Sequence, residues 1–316
     1  MATRTENGTK PARVAPGGRL MALVDRHFIW LGLAPAGTCL AVVLVYPVLA
    51  NIAYSFTNKS FMFPDTSFIG LRNYADILTD DVFGFWPSLR ISVLWTIGAV
   101  ACQFVVGLVA ALLLNQDVPG QRFFRVALLV PWAFPIIVYA MIWRWMLNDQ
   151  GGVITWLAVA LGVMPKPVFL LGQPATALPA VIAIGVWYGY PFIAASLLAG
   201  LQSIGQEYYE VARIEGASPF QVFRYVTLPF LRPVITIVLV LRTIWVFNSF
   251  ELIYLLTQGG PNGATLTLPL LAYNLGWQQF LPGKAAAVSV LMLFVLAGAA
   301  VVYLRALAIQ RKVEHG

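Results

Sequence analysis

Charge is scarce in this chain. Of 316 residues, 10% are Asp, Glu, Lys or Arg, against about 25% in an average soluble domain. Histidine occurs only at His27 and His315, and cysteine only at Cys39 and Cys102. Two cysteines make no disulfide framework, and two histidines near opposite ends make no imidazole metal centre. Both cysteines lie in apolar runs and are expected as small buried apolar side chains. No stretch reads G-x-x-x-x-G-K-S/T; Gly283-Lys284 lacks both the earlier glycine and the following hydroxyl. H-E-x-x-H, G-x-S-x-G and paired acids within an apolar run are missing too, which removes the signatures of a membrane-embedded enzyme. No basic run is interleaved with aromatics, so the net charge of +7 is not a nucleic-acid footprint.

What is present is apolar. The hydrophobic set makes up 59% of the chain and the mean hydropathy is +0.79. A soluble fold cannot hide that much apolar surface, and disorder needs the opposite composition. The fold class expected is an all-α polytopic membrane protein. Runs between charges place six spans, at about 28–52, 91–114, 126–146, 178–200, 233–256 and 285–305, each near the ~20 residues a bilayer requires. The third carries Pro131 and Pro135, and Arg242 interrupts the fifth. The first 27 residues are polar, so they read as a cytosolic basic tail, partly disordered, ahead of a retained helix rather than as a signal peptide. The six-helix domain is then 28–305, with a cytosolic tail at 306–316.

Six spans return both termini to one side. That side carries Arg4, Lys10, Arg13, Arg19, Arg26, Arg122, Arg125, Arg213, Arg224, Arg232, Arg305, Arg311 and Lys312; the other carries Lys59, Arg72, Arg90, Arg144, Lys166 and Lys284. The basic excess marks the cytoplasmic face, so both termini are predicted inside.

The longest cytoplasmic loop, 201–232, encodes structure of its own. Ser203 and Gln206 have capping-box spacing and predict a helix through Glu207, Glu210 and Arg213, with Glu210 and Arg213 able to pair. Gly216 suits a left-handed helix end. Ser218-Pro219-Phe220-Gln221 predicts a second helix start, and Leu228-Pro229 its end. Helix connections in bundles ordinarily take only about 2–8 residues. Two specified short helices therefore read either as an amphipathic hairpin lying on lipid or as a docking element for a cytosolic partner.

Here the sequence resembles a known family. Glu210-Val211-Ala212, then Gly216, then Leu228-Pro229 is similar to the Glu-Ala-Ala loop of permease subunits of ABC importers, differing at Val211, Gly205 and Glu215. Further runs resemble the sugar-importer branch, of the larger maltose-permease type: Phe68-Ile69-Gly70-Leu71-Arg72-Asn73-Tyr74, Phe124 to Pro131, Phe247 to Pro261, and Tyr273, Phe280, Gly283, Ala285 and Ala287. The resemblance implies a type I importer-like permease in a bacterial or archaeal cytoplasmic (inner) membrane, working by alternating access. The partners it implies are a second, different permease subunit, a cytosolic ATPase dimer that binds ATP and Mg, and an extracytoplasmic solute-binding protein that delivers a carbohydrate. No cofactor is implied in this chain. The ATPase-coupling residues it implies are Glu207, Glu210, Ala212, Gly216, Ala217, Ser218, Leu228 and Pro229.

Candidate pathway residues are the costly ones at membrane depth. A charge at a helix centre costs roughly 2.5–3.5 kcal/mol on insertion scales. Arg242 must therefore face protein or water. It reads either as a partner for another helix or as a contact for an anionic solute. Glu251 is nine residues on, half a turn out of phase in one straight helix, so the two are not expected to pair. Asn248, Ser249, Glu251 and Tyr254 form a polar side that could bind sugar hydroxyls or join helices. Trp187, Tyr188 and Tyr190 could stack on pyranose faces or simply pack, while Gly185 and Gly189 mark a close helix approach. Tyr273 and Asn274 are placed in the third outer loop. Asp76, Asp80 and Asp81 read as a solvated loop face. Glycerol-phosphate import is the alternative within this family, and a gradient-driven secondary transporter the alternative outside it.

Overall fold

The computed structural model describes residues 30, 32–63, 66–116 and 119–314. The tail assigned to 1–27 and His315 lie outside these. The chain divides after Ala53 into two units. The first holds most of α1 (Gly32–Ser55), long and apolar enough to cross a bilayer. A π-helical stretch, Ala41–Val45, comes just before Pro47. The proline ring would clash with the carbonyl of Val43, four residues back, and the wider turn relieves it.

The second unit is helical. α2 (Arg72–Thr79) leads to α3 (Phe85–Leu114). α4 (Gln121–Leu128) and α5 (Ile136–Met146) follow, joined by a helical turn at Val130–Ala133. α6 (Val153–Ala160) precedes α7 (Pro174–Gln202). Next are α8 (Gln206–Ile214) and α9 (Pro219–Phe247). α10 (Glu251–Thr257) and α11 (Leu268–Tyr273) precede α12 (Pro282–Glu314). Among the described residues the only bridge outside helices is Thr57 opposite Phe68.

Among the described residues five helices are long and apolar enough to cross a membrane. The sixth crossing is broken: Phe134 is extended (φ −94°, ψ 135°) between the turn and α5, because a residue before proline, here Pro135, is pushed out of the helical region. The long helices also start earlier than their apolar runs. Pro174, Pro219 and Pro282 each stand at the first helical position, where the missing N–H costs nothing.

α3 and α7 form the spine. Trp95, Ala99 and Val100 pack with Val181 and Ile184 toward one end, and Ala111 and Leu114 with Ile193, Ala194 and Leu197 toward the other. A side chain at Gly185 would run into the Trp95 ring, and one at Gly189 into Arg242 and Gln103. The Gly185/Gly189 pair is therefore a close approach, as its spacing predicts. Cys39 and Cys102 are exposed, contrary to expectation. Apolar side chains of a membrane helix can face lipid and need no protein core.

Of the expected acidic loop face, Asp80 and Asp81 are exposed just after α2, whereas Asp76 lies within it. Asp76 Oδ2 accepts from Lys284 Nζ at 2.9 Å, and Asp80 Oδ1 caps a short turn by accepting from the Val82 N–H at 3.0 Å. These residues lie at the Phe85 end of α3. The 201–232 hairpin lies at the Leu114 end, where Leu112, Asn115 and Gln116 share a cavity with Tyr209, Arg213 and Ala217. The 30 residues of α3 separate these ends by about 45 Å.

Candidate functional site

The hairpin at one end is built from local signals. α8 ends in a Schellman motif: the Gly216 N–H donates to the Arg213 carbonyl and the Ala217 N–H to the Ala212 carbonyl, both at 3.0 Å, with Gly216 at φ +77°. Ser218 then forms a reciprocal capping box with Gln221, its N–H donating to Gln221 Oε1 at 2.7 Å and its Oγ accepting from the Gln221 N–H at 3.4 Å. The other predicted box does not form. α7 runs on to Gln202, so Ser203 closes that helix, its Oγ donating to the Gly200 carbonyl at 2.7 Å. α8 begins with Gly205 as its cap. Among the described residues no ion pair joins Glu210 and Arg213.

Leu228-Pro229 does not end a helix either. A π turn at Phe223–Thr227 widens the backbone around the Tyr225 carbonyl, which Pro229 would otherwise strike, and α9 continues through to Phe247. Thus the end of a stretch read as loop is the first half of a spanning helix. Ala212 is buried and Ala217 half-buried; Glu207, Glu210, Gly216 and Ser218 are exposed. Ile214 is 86% exposed and Phe220 74%, with Val211 and Tyr225 also exposed. Such an apolar patch among charged residues marks an interaction surface.

Away from the hairpin the polar residues fall into three groups. The first is a node that sequence reasoning missed. Arg242 is 8% exposed, and its Nε and Nη2 donate to Gln103 Oε1 at 3.0 and 2.7 Å. Gln103 Nε2 donates to the Gly185 carbonyl at 2.9 Å. One amide therefore ties α3, α7 and α9 together. The available signal was that Gln103 is the only amide side chain in the run 91–114, and a polar group at that depth needs partners. Trp245 flanks the guanidinium, 6.0 Å from its ring.

The second group surrounds a break. α9 stops at Phe247 and α10 starts at Glu251, so the expected continuous helix 233–256 is discontinuous. The last carbonyls of α9 need outside donors. Trp95 Nε1 donates to Val246 at 2.8 Å and Asn248 Nδ2 to Ile244 at 2.9 Å. Asn248 Oδ1 has no partner among the described residues. Asn248 and Glu251 are exposed; Ser249 and Tyr254 are half-buried. The Tyr254 ring lies 5.2 Å from Tyr273 and 5.1 Å from Phe250, which is 4.8 Å from Tyr273. Tyr273 closes α11 rather than lying in a loop. Asn274 begins the π turn after it, with Oδ1 buried and without a hydrogen bond.

The third group is divided: Tyr188 packs on the same core cluster as Phe250, Tyr254 and Tyr273, whereas Trp187 and Tyr190 lie elsewhere. Trp187 and Tyr190 line an apolar cleft with Leu113, Phe124 and Leu128, their rings 5.6 Å apart. Tyr188 faces away onto Tyr139, 5.1 Å between centroids.

The geometry is that of a helical membrane component with a hairpin that exposes apolar side chains and a broken polar helix. Residues 103–315 match the family model described as binding-protein-dependent transport system inner membrane component. The chain is 38% identical to the trehalose/maltose transport system permease protein MalF of Thermococcus litoralis, over 87% of this chain and 92% of that one. It is 33% identical to the sulfoquinovosyl glycerol transport system permease protein SmoG of Agrobacterium fabrum, over 91% and 92%. The crystal structure of a bacterial ABC transporter involved in the import of the acidic polysaccharide alginate contains a chain of the same fold, with a TM-score of 0.76 at 22% identity, covering 93% of this chain and 99% of that one. The chain belongs to the family of binding-protein-dependent transport inner membrane components. It is thus a multi-pass inner-membrane protein, a permease component of an ABC importer rather than its catalytic subunit.

Proposed function

We propose that this chain forms half of a carbohydrate translocation pathway. Three relatives support the sugar class: the trehalose/maltose and sulfoquinovosyl glycerol permeases above, and the diacetylchitobiose uptake system permease protein DasB of Streptomyces coelicolor, 31% identical over 97% of this chain and 93% of that one. Fold alone does not choose a solute. The observation that carries the reading is the break at 248–250, where the free Asn248 Oδ1 and the exposed Glu251 stand on the segment that carries the Phe250 and Tyr254 rings, with Tyr273 of α11 packed against both. Hydroxyl-seeking groups beside flat aromatic faces suit a sugar. In this reading Asn248, Ser249, Glu251, Tyr254 and Tyr273 contact solute, with Asn274 beside them. Trp187 and Tyr190 line its path, Tyr188 packs behind it, and Arg242 holds the helices around it. Commitment of Arg242 to Gln103 favours a neutral sugar over a glycerol phosphate.

Energy enters at the other end. The 201–232 hairpin docks a cytosolic ATPase through the Val211, Ile214 and Phe220 patch, with Glu207, Glu210, Ala212, Gly216, Ala217, Ser218, Leu228 and Pro229 setting its shape. ATP and Mg belong to that ATPase, and this chain hydrolyses nothing itself. A second, different permease completes the pathway, a solute-binding protein delivers the sugar outside, lipid surrounds the spans, and both termini are cytoplasmic. Purification in mild detergent tests this. Recovery of a second permease and an ATPase whose turnover rises with sugar is the expected result. A chain that transports alone on a proton or sodium gradient would overturn it.

A further inference from the structure

At the end opposite the hairpin is a pocket that the pathway reading does not use. Its cavity is about 470 Å³, with Lys59, Arg72, Asp76 and Lys284 on its walls. Those walls are fixed by backbone. Asn73 Nδ2 donates to the carbonyls of Ser55 and Thr57 at 2.9 and 2.8 Å. The Ile69 N–H donates to the Phe56 carbonyl at 2.8 Å, and the Gly283 N–H to the Lys59 carbonyl at 3.1 Å. Among the described residues three cations face one acid. Lys284 bonds Asp76 and lies 3.8 Å over the Phe83 ring; Lys59 lies 3.6 Å over Tyr54. Arg72 has no ion pair among the described residues.

Placement sharpens the point. Arg72 is the first residue of α2 and Lys284 the third of α12, and neither helix has an acid in its first turn. Helix N-termini favour negative charge, so cations there cost stability. Two positive helix ends and the surplus cations converge on one cavity. Among the described residues no second acid answers them, which leaves room for an anion. Ile69 and Leu281 are the only aliphatic side chains in the lining, too little to seat an acyl chain, which argues against a lipid as the occupant.

We propose that this pocket receives an acidic side chain of the extracytoplasmic solute-binding protein, an inference that rests on the importer reading above. Docking there ties the delivered solute to α2, α12 and the segment between α1 and α2. The test is photo-crosslinking in cells on the full chain, with p-benzoylphenylalanine in place of Ser67 at the rim, or of Phe220 in the hairpin as reference, and mass identification of the adducts. The expected result is a solute-binding protein at position 67 and an ATPase at position 220. Arg72→Glu should lower the first adduct about tenfold, equal to about 1.4 kcal/mol, and leave the second unchanged, which also shows that the variant is folded. Lys59→Gln should lower the first adduct less. Lipid adducts alone at position 67, or a binding-protein adduct indifferent to both substitutions, overturn the pocket proposal while an ATPase at position 220 leaves the importer reading intact. Absence of both protein adducts overturns both.

Discussion

The hairpin at the Leu114 end of α3 and the polar segment around the break at 248–250 are both made of short helices and breaks, yet they are specified differently. In the hairpin each turn is closed by neighbours in sequence: Gly216 to Arg213, Ala217 to Ala212, Ser218 to Gln221. Around the break and the Arg242 node the partners are remote: Trp95 donates to Val246, 151 residues away, and Arg242 to Gln103, 139 away. Exposure follows the same division. The hairpin turns its apolar side chains outward, whereas the Arg242 node buries its charge. A motif closed by near neighbours can present a surface to a partner without help from the rest of the fold. A charge in a low-dielectric interior is tolerated only where several helices agree to meet it.

This contrast can be broken by substitution. The largest effect belongs to the hairpin surface. Gly216→Asp or Glu210→Lys should leave the chain in the membrane and abolish uptake, because Glu210→Lys reverses charge on the exposed face and Gly216→Asp adds charge there and strains the left-handed turn, while the helices behind the hairpin stand. Uptake near normal, measured with the assembled transporter, would remove the coupling role from this hairpin. Next is the buried node. Gln103→Leu leaves the Arg242 guanidinium without its acceptor and should cost about 2–4 kcal/mol, read as a lower thermal midpoint in detergent. The double variant Gln103→Leu/Arg242→Leu should recover part of that loss. A double variant as unstable as the sum of the two singles would mean that the pair is not coupled.

Smaller effects refine the comparison. Asn248→Ala removes both the cap on the Ile244 carbonyl and the free Oδ1. It should raise the KM for sugar about fivefold, the equivalent of one hydrogen bond of about 1 kcal/mol. An unchanged KM with reduced stability would assign Asn248 to capping alone. The smallest effect separates the two serines. Ser218→Ala should cost about 1 kcal/mol as a lost N-cap, while Ser203→Ala, which removes one bond at a helix end, should stay within about 0.5 kcal/mol. Comparable losses would show that the two helix ends depend on their serines alike.

The same division explains what could be read in advance. The box at Ser218 and the left-handed Gly216 need only a few residues of context, and both are present. The box at Ser203 failed because the context was longer: α7 persists to Gln202 and claims the serine as its own end. Pro229 was misread for a related reason. A proline ends a helix unless the preceding turn widens, and the π turn at Phe223–Thr227 is such a widening. The interruption at 248–250 gave no strong local sign, since Asn and Ser occur within helices as well as at their ends.

Composition and charge asymmetry determined that this chain lives in a membrane, about how often it crosses and which residues are too polar for lipid. Short-range capping chemistry determined the hairpin turn. The tertiary structure alone decided that Gln103 answers Arg242, that Tyr254 and Tyr273 share one aromatic cluster while Trp187 and Tyr190 line another cleft, and that Lys59, Arg72 and Lys284 face the same cavity. The physical reason is range. Periodicity and capping act over one or two helical turns, whereas a buried polar group is satisfied by whichever helix the packing of α3 against α7 brings within about 3 Å.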